Sequence, residues 1–270
     1  MMLYVEKKRH INTEQNPLIS IITPLYNAEN FISETISSIQ SQTYSNWEVL
    51  IVDDFSTDFS PQIVEKLKLA DSRIHFIRNE VNKGAAFCRN LGTELAKGAY
   101  IAFLDADDLW HEEKLEKQLR FMQAKNCDVS FTSYLHIDED SEPLNKRIKA
   151  LASLSYKKQH SNNYIGNLTG MYKASNLGRI SAPTIRKRQD WAVWLEAIKR
   201  SNRPALGLQE DLAYYRIRKG SMSENKLGLV RYNYNFYRSH LRHSTIASAF
   251  YLIRFFWEYF FVRPRQIDKL

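Results

Sequence analysis

The strongest constraint on this 270-residue chain is a repeated alternation of short apolar runs with helix-length amphipathic stretches. Runs at residues 18–23 (LISIIT), 47–52 (WEVLIV), 74–78, 100–104 (YIAFL) and 129–134 are apolar and β-branched, the pattern of strands buried on both faces. Between them lie stretches with helical periodicity at 29–41, 60–70, 85–96 and 112–124. In the first, Phe31, Ile32, Thr35, Ile36 and Ile39 share one face. Strands separated by helices of ten or more residues predict an α/β fold: a mostly parallel twisted sheet with helices on both faces. Punctuation agrees. Pro24 is expected to end the first strand, and Ser60-Pro61 to open the second helix as N-cap and first helical residue. Gly84 precedes the third helix, and Gly98 is expected to close it as a C-cap.

Beyond residue 134 this rhythm breaks. Residues 136–168 are polar and read as hairpin and loop. The span 140–189 is rich in cations (Lys146, Arg147, Lys157, Lys158, Arg186, Lys187, Arg188) and is expected to act as a basic lid that orders only over a bound anion. A helix at 190–200, a strand at 212–217 and aromatic-rich helices at 229–241 and 246–262 complete the chain.

Composition narrows the classes. With 44% hydrophobic and 25% charged residues, a sizeable core is expected and wholesale disorder is not. Cys88 and Cys127 form no CxxC pair, which argues against a zinc site or disulfide framework and suits a reducing cytosol. The opening MMLYVEKKRH carries no apolar run long enough for a signal peptide, so the protein is expected inside the cell. The net charge is +8, and more than half of it lies between residues 231 and 270, where seven Lys/Arg face Glu258 and Asp268. Such a basic end suggests an anionic partner, a membrane surface or a nucleic acid.

In open α/β sheets ligands bind at the carboxyl ends of strands. The first strand ends in Thr23-Pro24-Leu25-Tyr26-Asn27, the second in Asp53-Asp54, the fourth in Asp105-Ala106-Asp107-Asp108. Crowding three carboxylates into four residues is costly, and a hard divalent cation relieves that cost. Mg²⁺ and Mn²⁺ take one or two protein carboxylates plus substrate phosphates. Asp105 and Asp107 alternate and can face one ion, whereas Asp108 is expected to cap the following helix. Asp53-Asp54 can accept hydrogen bonds from a ribose or base, or form an Asx-turn with Ser56 and Thr57. Asn82-Lys83-Gly84 and Arg89-Asn90 place a helix start and a cation where a phosphate could sit, or simply open an exposed helix. Asp190, in Arg188-Gln189-Asp190-Trp191, is on its own merely an acid suited to a first helical turn.

Taken in order, these motifs resemble the family-2 glycosyltransferases, an inverting family with the GT-A fold. The match is close over about 17–135 (ISIITP with Tyr26-Asn27, Asp53-Asp54 with Ser56-Thr57-Asp58, Asn82-Lys83-Gly84, Arg89-Asn90, KGAYI leading into DADD) and looser over about 165–220. Residues 1–16, polar and aperiodic, read as an N-terminal arm and 226–270 as a basic, aromatic helical tail; between them the resemblance implies a GT-A domain (17–225, its nucleotide-sugar half 17–135 and acceptor half 136–225). It also implies a donor site of Thr23, Pro24, Tyr26, Asn27, Asp53, Asp54, Lys83, Gly84, Arg89, Asp105 and Ala106. Asp54 would meet the uracil or ribose, Asp105 and Asp107 a Mn²⁺ or Mg²⁺ on the diphosphate, and Asp190 would be the general base, with Glu210 or Asp211 next in line. Gln189 departs from the family's commoner glutamate. Tyr214–Met222 (YYRIRKGSM) looks like the closing segment of bacterial members that build surface polysaccharide such as capsule or lipopolysaccharide. The Gln-x-x-Arg-Trp signature of processive synthases does not occur. The expected activity is therefore transfer of one hexosyl or N-acetylhexosaminyl unit, with inversion, from a nucleotide sugar (UDP-linked by the resemblance) to a glycan or lipid-linked acceptor.

Two other readings compete. A nucleotidyltransferase that makes sugar nucleotides would carry a glycine-rich loop after its first strand, and Pro24-Leu25-Tyr26-Asn27-Ala28 has none. A nucleic-acid-binding protein would interleave exposed aromatics with basic residues, whereas the tail's aromatics lie in strongly apolar helices, so no nucleic acid is expected. The tail suits a membrane surface or packing on a subunit, and a homo-oligomer stays open. Residues 246–262 reach only the lower limit for a span and carry Arg254 near the centre. Ser244, Ser248, Tyr251, Arg254 and Glu258 form a narrow polar stripe, with Arg238, Arg242, Arg263 and Arg265 flanking it. The segment 244–265 is thus expected to lie on the cytoplasmic face of the inner membrane without crossing it, making the enzyme peripheral.

Overall fold

The computed structural model describes residues 16–270 apart from residue 186 and residues 219–225. The expected N-terminal arm, Arg186 of the basic span and the end of YYRIRKGSM lie outside the described residues. The first half contains β1 (Ile19–Leu25), α1 (Ile32–Gln40), β2 (Trp47–Asp53), α2 (Ser60–Ala70), β3 (Ile74–Arg78), α3 (Ala85–Leu95) and β4 (Tyr100–Phe103). Strands β3, β2, β1 and β4 lie side by side and all parallel, with Ile19 opposite both Trp47 and Tyr100.

Alternation along β1 explains the two-faced core. Ile19 and Ile21 pack with Ile32, Ile36, Val64, Leu115 and Leu119 on one side. Ile22 packs with Phe103, Phe131, Tyr172, Val193 and Trp194 on the other.

Pro24 does not end β1, which continues through it to Leu25. Pairing with β4 stops at Ile22, whose carbonyl accepts from Leu104 N, while Leu25 O accepts from Asp54 N on the β2 side. The missing N–H of Pro24 points toward the side where β4 has already ended, so no ladder bond is lost.

Two helix-end assignments also change. Ser60 is the first residue of α2 rather than its cap, and its Oγ accepts from Ala28 N at 2.9 Å. Gly98 is not a left-handed C-cap: α3 ends at Leu95, and Gly98 is there because a Cβ would lie 2.6 Å from Ser20 N. Gly84 is conformationally required, with φ of +87° immediately before α3.

In the second half come β5 (Leu109–Trp110), α4 (Lys114–Lys125), β6 (Val129–Ile137), β7 (Pro143–Ile148), β8 (Ser153–Leu154), α5 (Tyr156–Ser161), β9 (Met171–Lys173), α6 (Ala174–Leu177), α7 (Gln189–Ser201) and β10 (Ala205–Arg216). Here the sheet is mixed: β9 runs antiparallel between β4 and β6, β7 antiparallel to β6, and β10 parallel to β6. The expectation that 140–189 orders only over a ligand is corrected for most of that span. Its first part is built into the sheet, Arg147 Nε holds Asp211 at 2.8 Å, and Lys158 Nζ holds Glu258 at 2.7 Å.

The chain closes with α8 (Lys226–Asn235), α9 (Thr245–Trp257) and β11 (Ile267–Lys269), which pairs with β7. Wide helical turns extend α8 to His240 and α9 to Val262. Helix α7 joins this tail to the domain. Val193, Trp194 and Ile198 face the sheet, whereas Trp191, Ala192 and Leu195 pack with Phe236, Tyr237 and Phe255.

Lys114 opens α4 fully buried, its Nζ 2.7 Å from Gln118 Oε1 and over the Trp110 ring. Burial lowers its pKa from 10.5 to about 7. Between those values the unfolded chain binds one more proton than the folded one, so this site's contribution to stability rises with pH across that window and is least below it. Lys114→Met is expected to be more stable than the native chain at pH 6, with the gap closing toward pH 10. Urea unfolding at pH 6, 8 and 10 measures it.

Candidate active site

The carboxyl ends of β1, β2 and β4 form one rim. Tyr26 and Phe55 are exposed there, 54% and 45%, at the ends of paired strands. Phe55 carries φ of +67°, a conformation costly for a bulky residue, and no sequence signal marked it. Asn27, also at positive φ, accepts from Thr57 N through its side chain and donates its own N–H to Ser56 Oγ. Thr23 is buried with its hydroxyl unpartnered, Pro24 half-buried and Ala106 buried.

The two aspartates at the end of β2 turn inward. Asp53 is fully buried against Arg78 Nε at 3.2 Å. Asp54 accepts from Lys83 N and Gly84 N, each at 2.7 Å, and from Asn79 Nδ2 at 3.1 Å. Its carboxylate thus pins the loop that starts α3, leaving the exposed Lys83 side chain over the Phe87 ring.

Around the acidic turn after β4, each carboxylate has its own partner from elsewhere in the chain. Asp105 takes Arg89 Nη2 at 2.7 Å and Asn167 Nδ2 at 3.2 Å. Asp107 takes Arg218 Nη2 at 2.7 Å. Asp108 accepts the backbone N–H of Arg216 at 2.9 Å, deep in the core. The expected cap role for Asp108 is therefore corrected: α4 starts six residues later, and this carboxylate fixes the end of β10 instead. Burial foremost raises the pKa of Asp107, with the charge of Asp105 adding to it and Arg218 opposing. Burial, then Asp107 and Asp105, raise that of Asp108 well above the usual range.

Arg89 links the acidic turn to the second half of the chain. Its Nη1 donates to Gln189 Oε1 at 2.9 Å while Nη2 holds Asp105. The start of α7 is thereby tied to the strand end. Asp190 follows, its Oδ2 accepting from Asn163 Nδ2 at 2.7 Å. Gln189, where the family more commonly has glutamate, meets Arg89 with a neutral amide oxygen, and Asp105 is the counter-ion of that guanidinium. The reserve candidates for the base are engaged elsewhere: Glu210 with Lys117 at 2.9 Å, Asp211 with Arg147.

Arg216, Arg218, Asn163 and Asn167 escaped the sequence reading. Arg216 is buried and threads its guanidinium among Asp107 O, Asp138 O, Glu139 O and the Glu34 carboxylate. Only the alternating cations in YYRIRKG hinted at it. Among the described residues no cluster of three or more His, Cys, Asp or Glu is preassembled for a metal. The donor set still fits a hard divalent ion: two alternating carboxylates crowd each other, and such an ion draws its remaining ligands from diphosphate and water.

A conserved-domain model described as glycosyl transferase family 2 matches residues 20–183. The chain is 44% identical over 226 residues to "Putative teichuronic acid biosynthesis glycosyltransferase TuaG" of Bacillus subtilis (strain 168), spanning 84% of this chain and 89% of that one. It is 36% identical over 238 residues to the Escherichia coli UDP-Glc:alpha-D-GlcNAc-diphosphoundecaprenol beta-1,3-glucosyltransferase WfgD, spanning 88% and 92%. Among solved structures, S. aureus TarS 1-349 in complex with UDP-GlcNAc superposes with a TM-score of 0.70 at 22% identity, over 90% of this chain and 73% of that one. The mannosyltransferase PcManGT from Pyrobaculum calidifontis, in complex with GDP-Man and Mn²⁺, gives 0.65 at 17% identity, over 88% and 70%. The fold is thus GT-A, and the chain belongs to glycosyl transferase family 2. It is a glycosyltransferase.

If Asp54 holds the loop before α3, Asp54→Ala must weaken the ligand-free protein. Three donors, one buried and two partly buried, lose a charged acceptor, a loss of about 3 kcal/mol. At this size that corresponds to a fall of roughly 6–12 °C in Tm. Calorimetry without nucleotide reads it; an unchanged Tm would leave Asp54 with a ligand-contacting role alone.

Proposed function

We propose that the chain transfers one sugar, with inversion, from a UDP-sugar to a hydroxyl of a diphosphate-lipid-linked acceptor in surface-polysaccharide synthesis. The observation that carries this reading is the Arg89 bridge, which ties the acidic strand end to the start of the Asp190 helix. The substrate class follows from similarity to WfgD, whose name states a UDP-Glc donor and a diphosphoundecaprenol-linked acceptor.

The donor's base lies against Tyr26 and Phe55, whose exposed rings end neighbouring strands. Lys83 and the α3 N-terminus face the phosphates. Asp105 and Asp107 would hold a Mn²⁺ or Mg²⁺, which when bound offsets the negative charge that develops on the departing diphosphate. Arg218 neutralises Asp107 before the donor arrives and adds a cation to the same oxygens afterwards. Asp190 takes the proton of the acceptor hydroxyl as that oxygen attacks the anomeric carbon from the face opposite the leaving group. One displacement inverts that centre. Asn163 fixes one Asp190 oxygen and leaves the other for the acceptor. Arg89 positions both sides without touching the reacting atoms.

Incubation with UDP-sugars and a diphosphate-lipid acceptor should release UDP; release of pyrophosphate would instead mark nucleotidyl transfer. Asp190→Asn is expected to bind UDP-sugar with near-native affinity while turnover falls by roughly 10²–10⁴. Turnover near the native level would remove Asp190 from the base role. Asp107→Ala, and excess chelator on the native protein, should each abolish transfer while the melting curve stays cooperative. Full activity in chelator would exclude the metal.

A further inference from the structure

The helix running from Thr245 into the turns ending at Gln266 is, among the described residues, the one helix long and apolar enough to cross a membrane by length and composition. Its orientation on the domain is inverted relative to that of a soluble amphipathic helix. Beyond the exposed Ser244 the polar stripe faces the domain, with Arg254 half-buried. Ser248 and Glu258 are buried, and Glu258 receives both Lys158 Nζ and the Tyr164 hydroxyl. Tyr251 stacks on His243 and Tyr237, and Phe255 packs against Trp191. The outward face is apolar: Ile246 is 84% exposed, Ile253 71% and Trp257 61%, with Phe250, Phe260 and Phe261 close behind. Positions 246, 250, 253, 257, 260 and 261 recur at helical spacing, so they make one continuous face.

We infer that this face docks into an anionic lipid surface, with the helix lying in the plane of the interface. A row of large apolar side chains on one exposed helix face marks an interaction site rather than ordinary surface. Crossing is excluded by the packing, because a spanning helix would break the Lys158–Glu258 pair and uncover Trp191. Charge complementarity selects the partner. Arg238 and Arg242 before the helix and Arg265 at its end are exposed, suited to phosphate headgroups beside an inserted apolar row. Arg263, by contrast, turns inward to Asn162 and to the carbonyl of Asn163. Since Asn163 also holds Asp190, the docked helix borders the base. A lipid-linked acceptor would then reach Asp190 from the bilayer it is anchored in. That last step rests on the proposed reaction; the docking does not.

Vesicle flotation of the full chain tests it, using phosphatidylglycerol/phosphatidylcholine vesicles and pure phosphatidylcholine vesicles. The native protein should float with the anionic vesicles, less with the neutral ones, and be released by alkaline carbonate. The triple variant Ile253→Asn, Trp257→Ser, Phe261→Ser should bind at least about tenfold more weakly, keep its melting temperature, and still release UDP from donor with a water-soluble acceptor. A native protein that never floats, a variant that floats equally, or retention after carbonate would each overturn the inference. So would a native dimer that the variant makes monomeric while neither floats, which would assign the face to a second copy. Loss of UDP release in native and variant alike, with flotation intact, would count against the reaction and leave the docking standing.

Discussion

The carboxyl end of β4 is arranged around the mutual repulsion of Asp105, Asp107 and Asp108. Three carboxylates in four residues at the end of a buried strand could not persist without compensation, and each draws on a different source. Arg89 comes from α3, Arg218 from the segment after β10, and the third partner is a backbone N–H of β10 itself. The division has a chemical logic. Asp108 is satisfied by a fixed backbone donor in the core, so it is structural. Asp105 and Asp107 are satisfied by guanidinium groups, and side-chain partners can rearrange where a backbone donor cannot. The same repulsion stitches two sequence-distant halves together, because the compensating groups come from both sides of the fold.

Helix α7 transmits that arrangement outward. One of its faces, through Trp194 and Ile198, completes the core beneath β4 and β6, and the opposite face, through Trp191 and Leu195, is the floor on which the tail packs. Gln189 and Asp190 sit at its N-terminal end, where the chain enters at a left-handed Arg188. Motion of the tail against the domain would therefore be felt at Asp190 through two routes, the packed aromatics under α7 and the Arg263–Asn163 contact. This ties the basic tail to the site more closely than a separate appendage would be.

Much of this was legible in the sequence because it rests on periodicity. Strands β1 to β4 and helices α1 to α4 fall within a few residues of their expected places, since burial on both faces forces apolar runs and burial on one face forces helical spacing. What escaped depends on contacts between residues far apart in sequence. Asp54 and Asp108 were recognised as special, but which way a carboxylate turns is settled by donors 29 and 108 residues away. Pro24 and Gly98 were read by local rules, cap and breaker. Their actual reasons are a neighbouring strand that ends early and a backbone that passes within touching distance. Asn163 and Asn167, in a polar stretch without period, carried no signal at all.

The tail shows the same limit in its sharpest form. A stripe of Ser248, Tyr251, Arg254 and Glu258 on an apolar helix is visible from spacing alone, yet spacing is symmetric with respect to inside and outside. The default for a soluble protein is polar side out. Here the burial of Glu258 is made tolerable by Lys158 and Tyr164, both from the segment around α5, which offers a cation and a hydroxyl where a core would normally offer carbon. Reading the orientation from sequence would have required recognising that the basic, aperiodic residues near 158 are the counterpart of an acid 100 residues away. Once that pair is formed, the choice is closed: the stripe has a single width, so satisfying it inward leaves only the apolar face to meet whatever lies beyond the protein.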